Sequence, residues 1–296
     1  MAVDRFLGAG WAQAHGPAAA DRIGKWTLDC GFRGLVAAPL PGAPAWAAVR
    51  QAAVDLPFRF GAVRVTALSG GGGPAEAGLA SSEAADQAAA YAAVESAVRL
   101  AHAVGCPRVI LEPGVVPQVD GAETELTSPV GMSEERAAAL LARRNAGLDR
   151  ALDRVCRLLH ALCRTHPEIR FCLTNSRDAL GIGDQDGLPA LFEDLSRCGL
   201  GYWHDAVAGA ARQHWLGQEP GQVLESCSKF LCGMTLGDYC EGRKDLPPGV
   251  GGVDYPLLSA YRVRSGRSFP VAVELDPGVE PGEIPRVHAF LSKFDL

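Results

Sequence analysis

Eight short apolar runs alternate along the chain with longer stretches patterned for helices. They read FLGAGWA (6–12), GLVAAPL (34–40), FGAVRVTAL (60–68), RVILEPG (108–114), RFCLTN (170–175), LGYWHD (200–205), FLCGMTLGD (230–238) and FPVAVELD (269–276). Between them, residues 83–104 carry Tyr91, Val94 and Val98 near helical spacing. Residues 134–165 carry Leu148, Leu152, Val155, Leu159 and Leu162 at steps of four and three, which is one apolar helix face. Ser133 stands as an N-cap, with Glu134 and Glu135 favouring the positive end of the macrodipole. Strand and helix alternating eight times predict a parallel sheet closed into a (β/α)8 TIM barrel, one domain over residues 1–296. Two long loops, 69–82 and 113–133, read as lids or irregular segments. The glycine run inside the first lacks a following Gly-Lys-Ser/Thr, so it reads as a flexible loop and not as a phosphate cradle.

Several runs end in polar residues, and strand parity says where these point. Alternate residues face opposite sides of a strand. In 270–276, Val271, Val273 and Leu275 face the helices, which sends Glu274 into the barrel mouth. In 108–114, Val109 and Leu111 pack outward and Glu112 points in, and Asp205 ends the sixth run on the inward side. Polar groups at the C-terminal ends of barrel strands mark an active-site face. Glu112 and Glu274 lie four strands apart and approach from opposite walls.

Composition removes other classes. A formal net charge of −6 and a pI near 5.7 leave no basic stripe for nucleic acid. The nine cysteines are scattered singly, without zinc-ribbon spacing, and suit a reducing compartment. No apolar run reaches bilayer length and no signal-peptide pattern opens the chain, so the expectation is a cytoplasmic protein without membrane contact, its oligomeric state left open.

The order of motifs resembles the xylose-isomerase-like barrels, the group of sugar phosphate isomerases and epimerases, inosose dehydratases and endonuclease IV. The stretches carrying the resemblance are AVRLAHAVGCPRVILEPG (97–114), LGYWHDAVAGA, GDYCEGRKDLPPGVGGVDYPLL and VAVELDP, with Pro247, Pro248, Gly249, Gly251 and Asp254 matching a Pro-Pro-Gly loop after strand seven. The resemblance implies a divalent metal held by Glu on strand five, Asp on strand six followed by His, His on strand seven and Glu on strand eight. Here Asp205 and Glu274 match. Thr174, Ala208 and Thr235 stand where the other ligands belong, and Leu246 replaces the His before the Pro-Pro-Gly loop. Two carboxylates without imidazole bind zinc poorly. The expectation is therefore no cofactor, with a weak magnesium or manganese site left open if Glu112, Asp205, Asn175 and Glu274 converge.

Glu274 is the expected base, with Asp205 or Glu112 as its partner acid and Asn175, Thr174 and Thr235 as hydrogen-bond donors to a developing enolate. His204 is an imidazole at a strand end, although parity beside Asp205 turns it toward the helices. Arg243 and Lys244 follow strand seven and suit an anionic group, while Trp11, Trp203 and Tyr239 suit a sugar's apolar face. Two functions compete. One is an isomerase, epimerase or dehydratase moving a proton on a small sugar or polyol without the usual metal. The other is a non-catalytic descendant that binds a small molecule or a protein.

Overall fold

The computed structural model of the protein describes residues 3–66, 78–117 and 131–296. Its strands are β1 (Arg5–Gly8), β2 (Gly34–Ala37), β3 (Arg59–Arg64), β4 (Arg108–Leu111), β5 (Arg170–Thr174), β6 (Gly201–Asp205), β7 (Leu231–Leu236), a hairpin of β8 (Asp238–Cys240) and β9 (Arg243–Leu246), and β10 (Val271–Val273). All but the hairpin pair in parallel and close into an eight-stranded barrel, β1 meeting β10. The expected (β/α)8 barrel is the fold observed. Helix Glu134–Thr165 begins at Ser133, whose side chain accepts from the Arg136 N–H, and it buries Leu148, Val155, Leu159 and Leu162. Helix Ala84–Val104 likewise buries Val94 and Val98. No described helix is long and apolar enough to cross a membrane.

The first strand is shorter than the run 6–12 suggested. It ends at Gly8, and Ala9–His15 turns at once into a helix. β10 is also short because Pro270 has no N–H to give, yet the Glu274 N–H continues the ladder to Leu236 O. The glycine run and most of the two long loops lie outside the described residues.

Inside the barrel, each of the eight strands contributes one residue to a plug of Phe6, Val36, Ala62, Ile110, Cys172, Trp203, Cys232 and Ala272. A larger apolar layer fills the space between sheet and helices. The indole of Trp203 fits only because β7 offers Gly233, where a Cβ would stand 2.1 Å from a ring carbon. The β6–β7 register shifts at this place, and that irregularity keeps both Cys232 and Thr235 inside. This plug is the floor on which the mouth residues stand.

Candidate active site

Glu112, Asp205 and Glu274 project from the C-terminal ends of β4, β6 and β10 into one mouth, the placement that parity implied. Asp205 is 2 % exposed. Its Oδ1 accepts from the Ala208 N–H at 3.0 Å, so it also caps the helix that begins at Ala206. Burial alone would raise its pKa, but Arg177, Arg64 and the Ala208 N–H outweigh that and hold it below the usual carboxylate range. Glu274 sits against Gly8, where a Cβ would come 2.4 Å from Oε2, so only glycine leaves room for the carboxyl. Among the described residues the Glu274 carboxylate receives no hydrogen bond. Although part of Glu274 meets solvent, desolvation pushes its pKa up to about 7, with Arg64 and Arg177 opposing and Asp245 and Asp205 adding. Glu112 is open to water along its side chain, and Ser176 Oγ donates to its Oε2 at 3.3 Å. Desolvation still moves its pKa upward, against the pull of Arg177 and Arg64.

Two arginines that the sequence reading passed over complete the mouth. Arg177, in the loop after β5, reaches Asp205 Oδ2 from Nε at 3.0 Å and grips Asp245 with two bonds of 2.7 and 2.9 Å. Burial works against its charge, and the two aspartates more than restore it, so its pKa rises. Asp245 comes from β9 and adopts φ 56, a left-handed conformation that costs an aspartate little. Arg64, at the end of β3, donates from Nη2 to Thr235 Oγ1 at 2.8 Å. Trp203 Nε1 donates to the same oxygen at 2.8 Å. Parity had a signal for Arg64, since Ala62 faces inward two residues earlier; the periodicity of the barrel strands reaches neither Arg177 in its loop nor Asp245 in the hairpin.

Other expected site residues lie elsewhere or are already engaged. Asn175 is not free for a substrate: its Oδ1 accepts from the Asp205 N–H at 2.7 Å and its Nδ2 donates to Asp205 O at 2.8 Å, tying β5 to β6. Thr174 is buried at the end of β5. His204 faces the helices, bonded through Nδ1 to the Tyr202 hydroxyl at 2.7 Å, and desolvation lowers its pKa to about 4. Trp11 lies on the helix after β1, fully buried, with Nε1 donating to Val279 O and its ring stacked on Trp26. Tyr239 is buried under Trp215, whose Nε1 donates to its hydroxyl. Arg243 is exposed on the hairpin and Lys244 half-buried beside Arg212 and Trp215, so the hairpin presents Asp245 to the mouth instead of a cation. In each case the neighbour across the fold decides whether a strand-end polar group stays available.

These atoms form a poor set for a divalent cation. Asp205 already spends both oxygens, Thr235 Oγ1 accepts from two donors, the amide oxygen of Asn175 is taken, and two guanidinium charges stand within the mouth. Magnesium or manganese would have to displace those bonds to gain the oxygens of Asp205 and Asn175.

No protein-family model matches the chain, and no curated protein matches it. Solved structures do. A D-tagatose 3-epimerase-like protein aligns at 14% identity over 98% of this chain and 96% of its own, with a TM-score of 0.68. A 3-keto-D-glucoside 4-epimerase from E. coli aligns at 13% over 98% and 99%, with 0.67. A xylose isomerase domain protein from Planctomyces limnophilus aligns at 15% over 99% and 95%, with 0.62. The chain thus has the xylose-isomerase-like (β/α)8 barrel fold, the fold its motifs resemble.

Proposed function

We propose that the protein is an isomerase or epimerase-like enzyme that moves a proton beside the carbonyl of a small polyhydroxylated substrate, without a divalent metal. The observation that carries this reading is the contrast within one mouth: Asp205 is locked by a cation, while Glu274 is unpaired with a pKa of about 7. A carboxyl with that pKa suits a general base at neutral pH. The epimerases and isomerase among the similar structures support the substrate class.

Ionised Glu274 takes the proton from the carbon next to the carbonyl, and charge develops on the carbonyl oxygen. Arg64 faces that oxygen. Its only hydrogen bond among the described residues goes to Thr235, so the guanidinium retains N–H groups for an oxyanion. Glu112, on the opposite wall with Ser176 Oγ at 3.3 Å, is the partner acid that returns a proton; delivery to the other face of the planar intermediate inverts the carbon. Asp205, held ionised by Arg177, positions that arginine and does not serve as the acid. Arg177 supplies fixed positive charge beside Asp205 and Asp245.

Solvent-deuterium exchange into a panel of ketoses and aldoses, in tag-free protein dialysed against chelator, tests this reading. Wild type should incorporate deuterium, and Glu274→Gln should lose the rate by at least about a hundredfold while staying folded. Exchange surviving in that variant would remove Glu274 from the mechanism.

A further inference from the structure

At the opposite end of the barrel from the mouth, where the helices run down into the starts of the strands, three metal-ligating side chains meet. His102 lies in the last turn of helix Ala84–Val104, His166 is the C-cap of helix Glu134–Thr165, and Glu168 follows just before β5. Their ligand atoms all lie within 4.8 Å of one another. His102 Nε2 stands 3.1 Å from Glu168 Oε1, and His166 Nδ1 stands 3.9 Å from the same oxygen. Bonds of about 2.0–2.1 Å in a tetrahedron place neighbouring donors about 3.3 Å apart. The cluster needs only side-chain adjustment to reach that spacing.

We infer that His102, His166 and Glu168 form a zinc site that ties the ends of these two helices together. Glu95 is the observation that separates the cluster from an ordinary surface ion pair. It lies two turns before His102 on the same helix, and its Oε1 bonds His166 Nε2 at 2.8 Å. That bond keeps the proton on Nε2 and leaves the Nδ1 lone pair as the ligand atom, 3.9 Å from Glu168 Oε1. A carboxylate behind a histidine is the arrangement that orients imidazole ligands in metal sites. Two imidazoles and one carboxylate suit zinc, and a fourth position remains for water. The burial gradient agrees: the side chains of His166 and Glu95 are 15 % and 24 % exposed, whereas those of His102 and Glu168 are about half exposed and free to close on an ion. In barrels of this kind the end where strands begin serves stability, so the ion there would brace the fold and take no part in chemistry at the mouth.

The test uses tag-free, chelator-stripped protein and zinc followed by calorimetry. One zinc should bind per chain and raise the melting temperature of wild type. His102→Ala, at an exposed position that cannot compromise the core, should weaken binding by at least about tenfold and abolish the thermal shift. Glu95→Gln should also weaken it by about tenfold, although Glu95 does not touch the ion. Cobalt in place of zinc should give a spectrum without thiolate charge transfer, which separates this site from the cysteines. Glu274→Gln should bind zinc as wild type does, so the outcome is independent of the proposed chemistry. The inference is overturned by an absence of saturable zinc binding, by binding indifferent to His102→Ala, or by a thiolate signature in the cobalt protein.

Discussion

At the scale of single residues, the mouth holds groups whose ionisation works against folding. Glu274 has a folded-state pKa of about 7 against roughly 4.3 for an unperturbed glutamate, so the unfolded chain releases its proton first as pH rises. Its ionisation therefore destabilises the native state increasingly between those values and fully above pH 7. Glu274→Gln should gain about 1 kcal/mol in urea unfolding at pH 8, less than the full shift implies because part of the carboxyl meets water. A loss of stability would show that the carboxylate is better accommodated than its surroundings suggest. His204 runs the other way. It is buried and neutral, its pKa lowered to about 4, and its Nε2 has no hydrogen-bond partner among the described residues. The unfolded chain takes up that proton near pH 6.5, so the native state loses stability as pH falls from about 6.5 toward 4. His204→Gln keeps an acceptor for Tyr202 and cannot titrate. Comparing the two proteins at pH 7 and pH 4.5, the variant should lose about 2 kcal/mol less than wild type.

At the scale of elements, the barrel depends on close approaches that a methyl group would close. Gly233 on β7 admits the Trp203 indole, and that indole in turn donates to Thr235 beside Arg64. Gly233→Ala should cost about 1–3 kcal/mol through overpacking and shift the Trp203 fluorescence, with unchanged unfolding curves as the contrary result. The hairpin of β8 and β9 matters for a different reason. Asp238, its first residue, accepts from the N–H groups of Tyr239, Gly249 and Val253, which fixes the path of the Pro-Pro-Gly loop and so delivers Asp245 to Arg177. A buried Arg144–Asp184–Arg212 cluster does the same for the segment after β5, with Arg144 also bonded to Gly181 O. Both loops are held by charge and hydrogen bonding, where strands rely on apolar packing.

At the scale of the whole molecule, the closed sheet gathers charges from the ends of β3, β4, β5, β6 and β10 and from the hairpin onto one end. Among the described residues, two arginines meet four carboxylates at the mouth, and the proposed reaction draws its positive charge from those arginines. Turnover should therefore survive exhaustive dialysis against chelator within about twofold of the untreated rate, a change well under the tenfold that 1.4 kcal/mol produces. Activity that vanished on chelation in protein still folded by circular dichroism, and returned with manganese or zinc, would contradict the metal-free mechanism.

The sequence by itself determined the barrel and the three carboxylates on its inner wall. Eight apolar runs separated by helical stretches admit little besides a closed parallel sheet, and a period of two fixes which strand-end residues face in. It also showed that Thr174 and Thr235 stand where metal ligands are expected in the resembling barrels, but gave no sign of what stands nearby. Tertiary structure decided that. Arg177 and Asp245 are 68 residues apart and meet only because β5 and the hairpin after β7 end on one face of the closed barrel. Asn175, read as a substrate donor, is consumed by the backbone of Asp205 30 residues on. Trp11 and Tyr239 likewise lost their place in the site to packing partners that only the fold supplies. Alternation along a strand is a local property of the backbone, whereas an ion pair or a hydrogen bond belongs to two segments at once. The orientation of a strand-end side chain is therefore legible in sequence, and its partner is not.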